Sequence, residues 1–446
     1  MRFVELLNSY IERSDITKNS LIESVGIDRS TFFQILSGKR LPTNRQLLDI
    51  INKLDIANVE KDRLIDYYER ESLGEDVYQA HMFVRSAVKI IAEADFKKKK
   101  SGISILSTDE LEFEETVISG KTAIREVVRQ LIIKEMTVSK HRIDIFMALM
   151  LASDMEVFQT LKFLSGDESV SNTPIRQLIE FPVGNIFKNS ENTGILNSYL
   201  GFLLGQNLNY KAFYYYANSD ISTRMGVLFP YYMIFSDRII LLDRDGDKLI
   251  VIDDSKAYDI WVSEFEKLLD SSDSLVSSFS DKEDYVRLLG SRGDKTLYIV
   301  EKHPGISFMM TEEFMNKYIP KNMHEEIYAH VNCFIGADYV EIVSDEGIKE
   351  FGEQKSINEA GFKLDADEQD VAFVMEMLKK RLHDTLEIAD PEELPISDNW
   401  TISVVEDEYV VLVPYLTLDK IIYISEKNIV KAFTQYMKGI ITNHDA

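Results

Sequence analysis

The first seventy residues carry five helical patterns in succession, most with a capping side chain ahead of them or a glycine behind, and this narrows the available folds more than any other feature. Phe3 to Arg13 sets Val4, Leu7 and Tyr10–Ile11 at helical spacing. Thr17 or Asp15 can cap a second helix carrying Leu21, Ile22 and Val25, and Gly26-Ile27 then turns the chain. Asp28 suits the N-cap of a third helix with Phe32, Ile35 and Leu36 on one face. Gly38 ends that helix before Lys39-Arg40-Leu41-Pro42. Thr43 caps a fourth helix with Leu47, Leu48, Ile51 and Leu54, and a fifth runs from about Val59 to Tyr68. Short helices with one apolar face each must bury those faces on one another, so residues 1–70 are expected to form an all-α head.

Charge sets this head apart. The chain has 50 Lys/Arg against 75 Asp/Glu, a formal charge of −25. Such a field repels nucleic acid at long range and favours solubility. Residues 1–70 hold 11 basic and 11 acidic residues, so the remainder carries the whole excess. The basic residues of the head also cluster, with Arg29, Lys39, Arg40 and Arg45 around the third helix. At 446 residues and 45% hydrophobic, the chain can bury a sizeable core in two to four domains. The single cysteine, Cys333, excludes an intrachain disulfide and a thiolate zinc cluster and fits a reducing cytoplasm. Met1 to Glu5 is amphipathic and unlike a signal peptide. The longest apolar stretch, Ile143 to Ala152, is far below the roughly 20 residues that span a bilayer.

Residues 71–101 read as a connecting helix and linker. Val77, Val84, Val88 and Ile91 form a stripe that serves either a dimer contact or packing within the chain. Lys97 to Lys100 reads as a solvated junction, with a phosphate-touching arm as the alternative. From 102 onward the pattern is mixed α/β. Strands are expected at 103–107, 141–147, 176–181, 210–217, 231–235, 238–243 and 248–252, with helices at 123–134, 155–163, 195–203 and 258–269. This alternation predicts a largely parallel, helix-covered sheet. Asp245-Gly246 marks a hairpin between two apolar runs. After about 290 come strands at 297–300 and 339–343, helices at 312–318, 367–382 and 431–440, and a closing meander at 400–405, 409–413 and 420–424. We divide the region into halves at 102–285 and 286–446.

Two stretches align without a gap: Arg238–Leu269 and Val410–Ile441, at an offset of 410 − 238 = 172. Ile250 falls on Ile422, Ile252 on Ile424, Trp261 on Phe433 and Phe265 on Met437. Either a half-domain is duplicated, or any hairpin followed by a helix would show such matching.

The segment Lys18 to Pro42 resembles the helix-turn-helix of Cro/cI-type (XRE) regulators. The apolar pair in helix two, glycine at the turn, apolar residues in helix three, the Gly-Lys-Arg run and a nearby proline are all present; Ile22 stands where that family usually has a small alanine. In this motif the third helix enters the major groove. With Phe32, Ile35 and Leu36 inward, Arg29, Ser30, Phe33 and Gln34 face out. Arg suits guanine O6/N7 and Gln suits adenine, while Phe33 meets a thymine methyl or fills a gap against a neighbouring helix. The resemblance places Lys18, Ser37, Lys39 and Arg40 at phosphates.

The α/β remainder resembles, less strongly, phospholipase-D-like folds, built from two halves that each end in a strand pair and a helix. That family's His-x-Lys signature is missing: none of His81, His141, His303, His324, His330, His383 and His444 has Lys two positions on. Catalytically dead versions of such folds serve as sensor domains. There is no P-loop, no dinucleotide fingerprint after a strand and no HExxH. A self-cleaving phage-type repressor would use Ala360-Gly361, Ser397 and Lys427 or Lys431, but the usual context of the serine is missing. Tyr214, Tyr216 and Tyr231 lie in a tyrosine-rich sheet region that reads either as a ligand pocket or as a buried sheet with amphipathic edges.

The expectation is therefore a multidomain chain, an all-α helix-turn-helix head followed by a large mixed α/β region with two similar halves. It would be a cytoplasmic, sequence-specific transcription regulator that binds double-stranded operator DNA as a homodimer and answers to a small-molecule or peptide effector. No catalytic residue, cofactor, metal or membrane is expected. The alternatives are a hydrolytic enzyme tethered to the head, or the self-cleaving repressor.

Overall fold

The structure, a computed structural model, describes residues 2–93, 116–139, 141–148, 161, 173–188, 192–197, 200, 209–217, 229–279, 282–305, 312–318, 321–325, 328, 338–359, 362–382, 384–389, 394–396, 399–414 and 421–444. The expected strand at 103–107, the lysine run at 97–100, nearly all of the expected helix at 155–163, and Ala360, Gly361 and Ser397 lie outside these residues. The chain forms two compact units: residues 1–82 with 435–446, and residues 83–434.

The first unit is helical. Its elements are α1 (Phe3–Arg13), α2 (Lys18–Val25), α3 (Arg29–Leu36), α4 (Asn44–Lys53), α5 (Asn58–Leu73) and the start of α6 (Glu75–Glu93). Thr17, rather than Asp15, caps α2, its hydroxyl accepting from the Ser20 N–H at 3.2 Å. Thr43 caps α4 with Gln46 closing a reciprocal box. Phe3, Leu7, Leu21, Phe32, Ile35, Ile50 and Leu64 are among the side chains of one continuous core. Fully burying a side chain of this kind is worth about 1.5–3 kcal/mol, which is how helices too short to persist alone are held.

The second unit contains two large mixed sheets. Its elements in chain order are β1 (Val117–Ser119), α7 (Lys121–Lys134), β2 (Ile143–Ala148), β3 (Ile175–Phe181), β4 (Tyr210–Tyr216), β5 (Tyr231–Ile234), β6 (Ile239–Leu242), β7 (Lys248–Ile252), α8 (Ser255–Asp270), β8 (Asp273–Ser274), β9 (Ser277–Phe279), α9 (Lys282–Gly290), β10 (Leu297–Glu301), α10 (Glu312–Tyr318), β11 (Tyr339–Ser344), α11 (Asp345–Gln354), β12 (Ser356–Glu359), β13 (Phe362–Asp365), α12 (Glu368–Arg381), β14 (Leu386–Ala389), β15 (Trp400–Val405), β16 (Tyr409–Pro414), β17 (Ile421–Ile424) and α13 (Lys427–His444). The last turns of α13 belong to the first unit, where Tyr436 meets the His81 ring edge-on at 5.2 Å.

The sheet order is β1-β7-β6-β5-β2-β3-β4-β8 in the first sheet and β14-β11-β10-β15-β16-β17-β9 in the second. This corrects the expectation of largely parallel sheets. Among the described residues only β2/β3 and β3/β4 are parallel in the first, and only β10/β11 and β11/β14 in the second. Each chain segment returns to its sheet as the antiparallel meanders β5-β6-β7 and β15-β16-β17.

Read from one edge, β1-β7-β6-β5-β2-β3-β4 matches β9-β17-β16-β15-β10-β11-β14 strand for strand, with the same parallel or antiparallel sense at every step. Helices α7 and α9 occupy the same place in the two sets, as do α8 and α13. The offset of 172 carries β6, β7 and α8 onto β16, β17 and α13, but the strand pairing is not kept at that offset. Tyr231 pairs with Leu242, whereas Ser403, at 231 + 172, pairs with Val411 and Trp400 pairs with Pro414, at 242 + 172, a shift of three residues between the two pairings. The second set thus starts at Ser277, nine residues before the division drawn from the sequence.

On one face of the first sheet Phe265 of α8 is buried with Phe146, Leu178 and Tyr232. The same side holds charge: Asp144 is fully buried and accepts two bonds from Arg176 at 2.7 and 2.8 Å, while Glu266 holds both Arg176 and Arg142. Removing one member of such a network leaves a buried charge without its counter-ion.

Candidate nucleic-acid interface

The third helix is built from both ends. At its start the Asp28 carboxylate accepts from the Ser30 N–H at 2.8 Å and from the Thr31 N–H at 3.2 Å. The Thr31 hydroxyl and N–H hold that carboxyl below its ordinary value, with smaller contributions from Ser30 and the Arg40 charge. At its end Gly38 takes a φ of +70°. Its N–H reaches the Ile35 carbonyl and that of Lys39 the Gln34 carbonyl, a Schellman closure. Two tethers fix this corner: Asn8 of α1 donates to the Leu36 carbonyl at 2.9 Å, and Tyr68 of α5 donates to the Pro42 carbonyl at 2.9 Å. Neither Asn8 nor Tyr68 carries a sequence signal for this role, since both partners are distant backbone groups.

Phe32 and Ile35 are fully buried, which turns Arg29, Ser30, Phe33 and Gln34 outward, and all four are exposed. Phe33 is 42% exposed and is not among the side chains of the helical core. The Arg29 guanidinium lies 5.8 Å from the centroid of its ring. Lys18, Ser37, Lys39 and Arg40 are also exposed, and the Ser37 hydroxyl donates back to the Gln34 carbonyl at 3.0 Å. Arg45, clustered with them in sequence but not singled out as a contact, is exposed on the first turn of α4.

Among the described residues Lys18, Arg29, Lys39, Arg40 and Arg45 form no ion pair. Elsewhere basic residues are commonly paired: Arg13 with Glu60, Arg176 with Asp144, Lys302 with Glu350 and Lys317 with Asp367. In a chain with 75 acidic residues, five exposed cations of the head that form no ion pair among the described residues, with Arg29 on α3 and Lys39 and Arg40 just beyond it, are available to an anionic partner.

No protein-family model and no curated protein matches the chain. A solved structure described as "Structure of TrmBL2, an archaeal chromatin protein, shows a novel mode of DNA binding" is 12% identical. The match covers 61% of this chain and 98% of that one, with a TM-score of 0.22. A likeness at that level carries no argument here.

The three tyrosines expected in a pocket share one face of the first sheet, two of them in contact and the third three strands away. Tyr214 and Tyr216 meet edge-on at 5.8 Å, and the pairings Tyr231–Met147–Ile179–Tyr214 put Tyr231 on the same sheet face. Tyr214 and Tyr231 are buried and Tyr216 is half-buried. Burial pushes the Tyr214 hydroxyl up to about 12 and that of Tyr231 higher. The Tyr231 hydroxyl has no hydrogen-bond partner among the described residues. Tyr216 donates to Glu426, which also caps α13 through the Ile429 N–H at 2.8 Å and so joins the two sheet sets. Nothing in the sequence marked Glu426 for this. Lys427 and Lys431, candidates for a self-cleavage base, are both exposed rather than desolvated. Among the described residues no helix is long and apolar enough to cross a membrane.

Proposed function

We propose that the chain is a sequence-specific DNA-binding transcription regulator whose α3 enters the major groove. The observation that carries this reading is the exposed outer face of α3, Arg29, Ser30, Phe33 and Gln34, followed directly by the exposed Lys39 and Arg40, none of whose cations forms an ion pair among the described residues. Arg29 and Gln34 supply the donor patterns that read guanine and adenine edges. Lys18, Lys39, Arg40 and Arg45 supply charge for phosphates, and the Ser37 hydroxyl lies beside them. The resemblance to Cro/cI-type regulators fits this arrangement.

One head makes few phosphate contacts, so we expect a homodimer on a near-palindromic site with half-sites about one helical turn apart. The stripe on α6 is not free to form its contact, because Val84, Val88 and Ile91 are buried within the single chain. In this reading the α/β unit is a cytoplasmic effector-sensing and assembly module without catalysis. The doubled sheet order, each set closing in a strand pair and a helix, supports the phospholipase-D-like reading of it. The buried Tyr231 hydroxyl, on the sheet face that also carries Tyr214 three strands away, supports an effector on that face.

Selection of duplexes from a random pool by the full protein, with and without cell extract, tests the proposal. An enriched near-palindrome is expected, and Arg29→Ala should cost about 1–3 kcal/mol on it. No enrichment in either condition would overturn the reading.

A further inference from the structure

We infer that Arg29 and Phe33 act as one composite reader of a guanine next to a C5-methylated pyrimidine. The inference rests on the DNA-binding reading above and names what that site selects. Arg29 and Phe33 are four residues apart on α3, so their side chains lie one above the other on the outward face. The structure holds the guanidinium 5.8 Å from the ring centroid, within cation–π range.

This contact settles two things about Arg29. A guanidinium directs its N–H donors within its own plane, so contact with a ring leaves donors on its edge for guanine O6 and N7. The ring also restricts a long side chain that would otherwise be ordered only on binding. Phe33 meanwhile offers 42% of its surface to solvent, on a face whose other exposed groups are polar. In the major groove the apolar group that answers such a ring is the C5-methyl of thymine, and 5-methylcytosine carries a methyl at the same ring position. Because the two side chains lie within cation–π range of each other on one helix face, the bases they read are neighbours. The selected element is therefore a dinucleotide step, and the methyl is part of it.

The test starts from the selected duplex. Each thymine is replaced in turn by uracil, which removes only the methyl, and the thymine that matters is then replaced by cytosine or 5-methylcytosine opposite guanine. Wild type should lose about fourfold in affinity at one thymine next to a guanine, the value of about one buried methyl-sized group. It should also bind the 5-methylcytosine duplex more tightly than the cytosine one. Phe33→Ala should abolish both preferences while still binding the duplex, and Arg29→Lys should lose the guanine preference despite keeping the charge. Phe33 is exposed, and unchanged circular dichroism would confirm that its variant folds. If a duplex is selected but no thymine-to-uracil exchange matters, or Phe33→Ala keeps the discrimination, the composite reader is wrong and the DNA-binding reading stands. If no duplex is selected, both fall.

Discussion

Replacing Lys39 and Arg40 together by alanine should change how DNA affinity depends on salt. Both side chains are exposed beside the C-terminal end of α3, and neither is paired with a carboxylate among the described residues. Each phosphate neutralised releases counter-ions and contributes roughly −0.9 to the slope of log affinity against log salt. If Lys18, Lys39, Arg40 and Arg45 each meet one phosphate, a head has a slope of roughly −3.6 and the double variant roughly −1.8. Between 50 and 200 mM salt, wild-type affinity per head would fall roughly 150-fold and that of the variant roughly 12-fold. Fluorescence anisotropy on a labelled duplex across that range reads both slopes, and the loss should be the same on selected and random sequence. An unchanged slope would show that these side chains point at something other than the phosphate backbone.

Three further outcomes follow from the same structure. Gly38→Ala places a Cβ at a φ of +70° and 3.2 Å from the Val4 side chain; we expect a cost of about 1–2 kcal/mol, read as roughly 5- to 30-fold faster amide exchange in α3, and unchanged exchange would refute the strained closure. Asp144→Asn leaves Arg176 and Arg142 with one carboxylate, Glu266, in place of two. It should destabilise the second unit by about 3–5 kcal/mol in urea unfolding, whereas an unchanged midpoint would mean the network contributes little. Asp237 is held down to about 2 by Arg238 and, less strongly, by Lys134. A depressed acid stabilises above its ordinary value near 3.8 and loses that effect as pH falls through about 2. The stability difference between wild type and Asp237→Asn should therefore be constant above about pH 4 and shrink towards pH 2, and a pH-independent difference would contradict the assignment.

The head was legible almost residue by residue because its signals are local. Asp28, Thr43, Gly26 and Gly38 stand where caps and turns require them, and α1 runs over the expected Phe3–Arg13. The strands β2 to β7, β10, β11 and β15 to β17 were legible from alternation and apolar runs, and the offset of 172 was visible because matching apolar positions sit in matching strands. Strand direction was not legible. The strands Ile143–Ala148 and Ile239–Leu242 are buried along their whole length and read like members of a parallel sheet, yet β6 pairs antiparallel on both sides. Strands β1, β8, β9, β12, β13 and β14 were not expected; β1, β8 and β9, three residues or fewer, are too short to show a period. Helix α11 was not expected, and its two glycines, Gly347 and Gly352, weaken any helical signal there; Gly347 is required because a Cβ there would collide with the Lys302 carbonyl. The pairing of Arg29 with Phe33 was within reach from their spacing, whereas the tether from Asn8 to the Leu36 carbonyl was not, because it joins groups 28 residues apart.

The measurement closest to the central claim compares two base analogues in the selected duplex. Replacing guanine by 7-deazaguanine removes the N7 acceptor from the major groove, and replacing it by inosine removes the N2 amino group from the minor groove. If α3 reads the major groove through Arg29, one deazaguanine position should lower affinity by at least several-fold for wild type but not for Arg29→Ala, and inosine there should have little effect. Sensitivity to inosine with indifference to deazaguanine would place the protein in the other groove and contradict the account.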